Sequence, residues 1–133
     1  MQLPPKQPRE AVLDDPVNDL SRWKGRSGLI YLVREAIEEV DWPHKHEEFS
    51  VIPELTFKSV QLMTLEVYCY ARGIYASEAV EEIIRKDEVL REVFPGSWPD
   101  PRTILKYRRF HRDAIIDCLR HVFSVMILVA QIT

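Results

Sequence analysis

Apolar residues recur at helical spacing through most of this chain, and the breaks between them are marked by proline and glycine. Gly25 and Gly28 flank Ser27, a candidate N-cap. From there Leu29, Ile30, Leu32, Val33, Ala36, Ile37 and Val40 predict a first helix ending at Asp41-Trp42-Pro43, because a residue before proline avoids the α region. Residues His44 to Pro53 read as a loop. A second helix is expected from Glu54 to Arg72, stopped by Gly73. Its polar residues Lys58, Ser59, Gln61 and Glu66 fall on one narrow arc, and apolar residues cover the rest, so it belongs in the middle of a bundle.

A third helix begins after Ser77, with Glu78, Glu81 and Glu82 favouring its positive end. It either continues through Asp87 or breaks there before Val89, Leu90, Val93 and Phe94. The Pro95-Gly96-Ser97-Trp98-Pro99 run is a breaker. Asp100 followed by Pro101 supplies an N-cap and a first-turn proline for a fourth helix to His111. A fifth runs from Arg112 or Asp113 to Gln131. Strand signals are weak throughout. The pattern therefore predicts an all-α fold, a compact bundle of about five helices with a helix-turn-helix-like unit. It occupies residues 27–133, behind a flexible N-terminal arm, 1–26, that holds Pro4, Pro5, Pro8 and Pro16 among charges.

Charge changes the picture only locally. The 133-residue chain carries a net charge of −3, but six of its bases and only two of its acids lie after Pro101. A basic segment in an acidic chain is the footprint of a protein that meets phosphates. On a wheel at about 100° per residue, Thr103, Ile104, Tyr107, Phe110 and His111 of the fourth helix share one arc. Arg102, Lys106, Arg108, Arg109 and Arg112 occupy the other, with Leu105 among them. The first arc is expected to dock on the core and the second to face outward. Such a helix after a sharp turn suits the DNA major groove, where arginine reads guanine and cations neutralise phosphates. A merely solvated basic face, pairing with acids of the third helix, is the alternative.

The segment Pro99-Asp100-Pro101-Arg102-Thr103-Ile104-Leu105-Lys106-Tyr107-Arg108-Arg109-Phe110-His111 resembles a signature of the N-terminal helical domains of bacterial insertion-sequence transposases. Upstream, Gly73-Ile74-Tyr75-Ala76-Ser77 resembles that family's Gly-Ile-x-x-Ser turn, and Glu81-Glu82-Ile83-Ile84-Arg85-Lys86-Asp87 its acidic-apolar-basic helix. The similarity spans roughly residues 50 to 125. It implies a domain that recognises double-stranded terminal repeats, with Arg102, Thr103, Lys106, Arg108, Arg109 and Arg112 as DNA-binding candidates and His111 in support. Leu105 and Phe110 depart from the pattern, which favours a small polar and a basic residue there. The family's catalytic acids sit on a following ribonuclease-H-like sheet that finds no counterpart before Thr133. The expectation is a non-catalytic module, working beside a separate catalytic partner or surviving as a free-standing relative or remnant.

The remaining chemistry is bland. His44 and His46 beside Glu47 and Glu48 lack the ligand set of a structural zinc. Cys69 and Cys118 read as reduced, inward-packed thiols, with Asp117 and His121 pairing one turn apart. No metal, cofactor or enzymatic activity is expected. The longest apolar stretch, Val122 to Ala130, is interrupted by Ser124 and falls short of the roughly 20 residues of a membrane span. A cytoplasmic location follows as the expectation, nucleoid-associated if DNA is bound. The same stretch, through Val122, Phe123, Met126, Ile127 and Val129, predicts an oligomer or hetero-oligomer interface as an alternative to full burial within the chain.

Overall fold

The computed structural model describes residues 21–132. Most of the expected arm, residues 1–20, lies outside the described residues. The fold is largely helical: six helices among the described residues, and one two-stranded sheet. In chain order these are α1 (Ser21–Glu39), β1 (Glu48–Ile52), β2 (Leu55–Lys58), α2 (Ser59–Ala71), α3 (Ser77–Lys86), α4 (Glu88–Val93), α5 (Pro101–Phe110) and α6 (Arg112–Ile132).

Gly25 interrupts α1 at φ 74 and ψ 166, a backbone conformation open to glycine and strained for other residues. Beyond it Leu29, Val33, Ala36 and Ile37 are buried on one stripe, against α2 and α6. The helix ends at Glu39, four residues before Pro43, and side chains from the following turn satisfy its last carbonyls. Trp42 Nε1 donates to the Ile37 carbonyl at 3.1 Å. Lys45 Nζ donates to Glu38 at 3.1 Å and Val40 at 2.7 Å. A cation and an indole N–H thus meet carbonyls that helix geometry leaves without partners, at the negative end of the dipole.

The hairpin corrects the purely all-α expectation. Residues read as loop and as the start of the second helix pair instead as antiparallel strands, with Phe49 opposite Phe57 and Ser50 opposite Thr56. Phe57 turns inward, packing edge-on against Phe94 with centroids 5.7 Å apart. Phe49 packs the same way on Tyr107 at 5.2 Å. A hairpin this short is marginal alone, so its stability comes from those aromatic contacts.

α2 is the central element, as its pattern predicts: Leu62 to Cys69 are buried without a break. It stops where Gly73, at φ 76, turns the chain. The Ile74 N–H donates to the Cys69 carbonyl (2.9 Å) and the Gly73 N–H to the Tyr70 carbonyl (3.1 Å), the paired bonds of a Schellman end.

At Asp87 the chain breaks, separating α3 from α4. Asp87 Oδ1 accepts from the N–H groups of Val89 at 2.8 Å and Leu90 at 3.3 Å, capping α4. Its Oδ2 accepts from Tyr68 Oη at 2.9 Å and Arg72 Nη1 at 2.8 Å. Both members of this ion pair are buried. The start of α5 matches expectation: Asp100 Oδ1 accepts from the Thr103 N–H at 2.9 Å, and Pro101 follows. Hydrogen bonding from Thr103, by its side chain first and its backbone N–H second, holds the Asp100 carboxyl below its usual range.

In α6 Ala114, Ile115, Cys118 and Val122 face inward. Both cysteines are free and buried, and desolvation raises the Cys69 thiol far above its usual range and Cys118 to about 11, so neither is a ready nucleophile. The expected Asp117–His121 pair is absent; His121 Nε2 is buried without a hydrogen-bond partner. Among the described residues no helix is long and apolar enough to cross a membrane.

Asp87→Ala removes the charge partner seen at a buried guanidinium and the cap of α4, a loss of about 3–5 kcal/mol. Asp87→Asn keeps an acceptor for the cap and is expected to cost less. Urea unfolding midpoints of the two variants check that order.

Candidate functional site

The basic residues after Pro101 are presented by α5, which packs on α2, α3, β1 and α6. Thr103, Ile104 and Tyr107 are buried on its inner face. Tyr107 fixes the rotation of the helix. Its hydroxyl donates to the Ser59 carbonyl and accepts from the Ser59 hydroxyl, both at 2.9 Å, at the start of α2. Burial raises this phenol far above its usual pKa, so it remains a donor at any physiological pH.

With that rotation set, the predicted site residues divide. Arg102, Lys106, Arg109 and Arg112 are exposed. Arg102 has only a loose neighbour, Asp100 Oδ2 at 3.8 Å. Lys106, Arg109 and Arg112 form no ion pair among the described residues. The acids of α3 do not reach them, being engaged within their own helix: Glu82 takes Lys86 at 3.0 Å, and Glu81 lies 3.9 Å from Arg85. The row at positions i, i+4 and i+7 is therefore a set of solvent-facing cations.

Thr103 and Arg108 correct the prediction. Thr103 is 1% exposed, so its side chain lies inside. Arg108 sits roughly 40° around the wheel from the buried Ile104, at the edge of the inner arc. Its Nε donates to Glu66 Oε2 of α2, and its guanidinium lies 4.9 Å from the Tyr70 ring centroid. Its side chain is 14% exposed and that of Glu66 1%. His111 also turns inward, tilted against Tyr107 at 4.3 Å and edge-on to Trp42 at 5.9 Å. Desolvation, reinforced by the nearby His44, lowers its pKa, leaving it neutral at pH 7.

Phe110 departs in the opposite sense. The wheel places it on the docking arc, yet it is 69% exposed. It lies at the outer edge of that arc in the last residue of α5, where its ring meets that of Phe49, edge-on at 5.9 Å. Leu105, amid the cations, is 48% exposed.

Glu66 is a residue that the basic-helix reading missed. Its place on the narrow polar arc of α2, shared with Ser59, was the available signal: of that arc, Ser59 and Glu66 find partners on α5. The pair with Arg108 is only partly satisfied, since Glu66 Oε1 and Arg108 Nη2 are buried without partners. Desolvation outweighs the attraction of Arg108 and pushes the Glu66 carboxyl up to about 7.

The other sequence candidates do not assemble a site. His44 Nδ1 pairs with Glu47 at 2.5 Å on the surface, and no group of three or more potential metal ligands occurs among the described residues. Of the proposed apolar interface, Val122 is fully buried within its own chain, Met126 is half-buried, and Phe123 and Ile127 are exposed. The side chain of Val129 lies outside the described residues.

A carboxyl with a raised folded-state pKa binds more protons folded than unfolded. Its contribution is thus fully present below pH 4.5 and lost as pH rises through about 7. Glu66→Gln is expected to remove this loss, on the order of 3 kcal/mol between acid and neutral pH. Urea unfolding of both proteins at a series of pH values checks it; parallel profiles would show that Glu66 is not the group responsible.

No family model, no curated protein and no solved structure matches the chain.

Proposed function

We propose that this chain is a DNA-binding module, of the kind that recognises the terminal repeats of a transposable element, and non-catalytic by itself. The observation that carries the reading is the outward row Arg102, Lys106 and Arg109, continued by Arg112, on a helix whose opposite side is anchored in the core. A cation left without an internal partner keeps its full value for a phosphate or a guanine edge. In this reading α5 enters the major groove of a duplex. α3, which packs against α5, positions it, the two forming a helix-turn-helix-like unit across α4 and the Pro95–Pro99 break. Of the residues first counted among the contacts, Thr103 is buried and Arg108, with Tyr107, instead sets the angle at which the helix is presented. The resemblance of residues 99–111 to the transposase signature supports the same partner.

A second reading has one observation in its favour. Phe123, Ile127 and Leu128 are exposed on α6, the last two at 59%. Consecutive apolar residues in water on one helix suit a protein interface, which would serve assembly with or without DNA.

Two outcomes are expected. Fluorescence anisotropy with a duplex should show affinity falling steeply with salt, and Arg102→Ala, Lys106→Ala and Arg109→Ala together should reduce the log–log salt slope by about 3. An unchanged slope counts against α5 as the contact. Light scattering should show self-association that Ile127→Ser with Leu128→Ser removes; a monomeric wild-type chain eliminates self-assembly through α6.

A further inference from the structure

α5 and α6 meet at His111, and this corner borders a groove of about 360 Å³. Three kinds of group line it. Trp42 and His111, both buried, contribute ring edges that meet at 83°. Phe110, Arg109 and Arg112 stand along it exposed. Asp41, Asp113 and Asp117 bring carboxylates to the same space, also exposed.

An exposed phenylalanine alone is ordinary. The company of Phe110 is what limits its partner. A phosphate fits the two arginines, but inside the groove it would face the three carboxylates. An aliphatic side chain would cover Phe110 while leaving those carboxylates without hydrogen bonds as water departs. A nucleobase meets both demands. Its flat face stacks on an aromatic ring, and an amino-bearing base offers N–H donors to a carboxylate. Its own backbone phosphates, staying outside, reach Arg109 and Arg112.

We propose that this groove receives a single unpaired nucleobase carrying an exocyclic amino group, guanine foremost, which stacks on Phe110 beside a duplex held by the α5 cations. Guanine presents two neighbouring N–H groups on one edge, a match for the two oxygens of a carboxylate. Thymine has only one ring N–H and fits less well. The inference rests on the DNA reading above and adds a specific recognition to it: the protein prefers duplex with an extruded or unpaired nucleotide, as at a junction or a frayed end.

The test uses the full chain and three labelled duplexes of one sequence: fully paired, with a single unpaired guanine, and with a single unpaired thymine. The unpaired guanine is expected to bind about tenfold tighter than the paired duplex, the scale of stacking one base on an aromatic side chain. Thymine should fall between them. Phe110→Ala should erase the advantage while leaving the paired duplex unaffected, and Phe110→Trp should keep it. Asp41→Asn, Asp113→Asn and Asp117→Asn together should remove the preference for guanine over thymine. Because these side chains and Phe110 are all exposed, the variants should keep the wild-type circular dichroism and melting profile. Equal wild-type binding to paired and unpaired duplexes overturns the groove assignment and leaves the duplex reading standing. So does an advantage that survives Phe110→Ala, which would trace it to the flexibility of the bulged DNA. Failure to bind any of the three overturns the DNA reading, and this inference with it.

Discussion

A helix buried on nearly every side must satisfy its polar side chains inside the protein, and that demand on α2 organises the rest of the molecule. Ser59 and Glu66 cannot reach water. Their partners are Tyr107 and Arg108, adjacent residues of α5. Two polar contacts to neighbouring positions leave α5 little freedom to rotate, in a way that apolar packing alone would not. The outward sector of α5, with Arg102, Lys106 and Arg109, is therefore a consequence of what α2 needs.

The two buried carboxylates that face arginines behave differently because their surroundings satisfy them differently. Asp87 fills both oxygens, with two backbone N–H groups on one and Tyr68 and Arg72 on the other. It joins α2 to the α3–α4 break and gives a short helix a defined start. Glu66 meets Arg108 through one oxygen and leaves the other without a hydrogen bond. Desolvation then dominates, and its carboxyl titrates near neutrality. One buried pair is a fixed joint, and the other is held at an energetic cost that varies with pH.

The same geometry explains why a wheel sorts the α5 residues imperfectly. Residues at the middle of each arc behave as their hydropathy predicts: Tyr107 is inside, Arg102 and Arg109 outside. Residues at the edges are decided by what lies opposite them. Arg108 has Glu66 and Tyr70 within reach and turns in. Phe110 meets the edge of Phe49 where α5 ends, and remains in water. These two inversions remove one cation from the exposed row and set an aromatic ring beside it, on which the groove at the α5–α6 corner draws.

Local signals in the sequence were enough wherever a few neighbouring residues settle the backbone. Gly73 as the stop of α2, Asp100-Pro101 as the start of α5 and the largely apolar character of α2 all follow from capping and periodicity over one or two turns. The hairpin did not: Leu55 to Lys58 join smoothly to the helical pattern of α2, and only aromatic partners on α4 and α5, 37 to 58 residues away, make the strands worth forming. The break at Asp87 was open for the same reason, since Tyr68 and Arg72 complete it from another helix. Sequence determined where most helices run and that α5 is basic. Tertiary packing alone decided which of its cations face solvent, because a side chain's direction depends on partners brought near only by the folded chain.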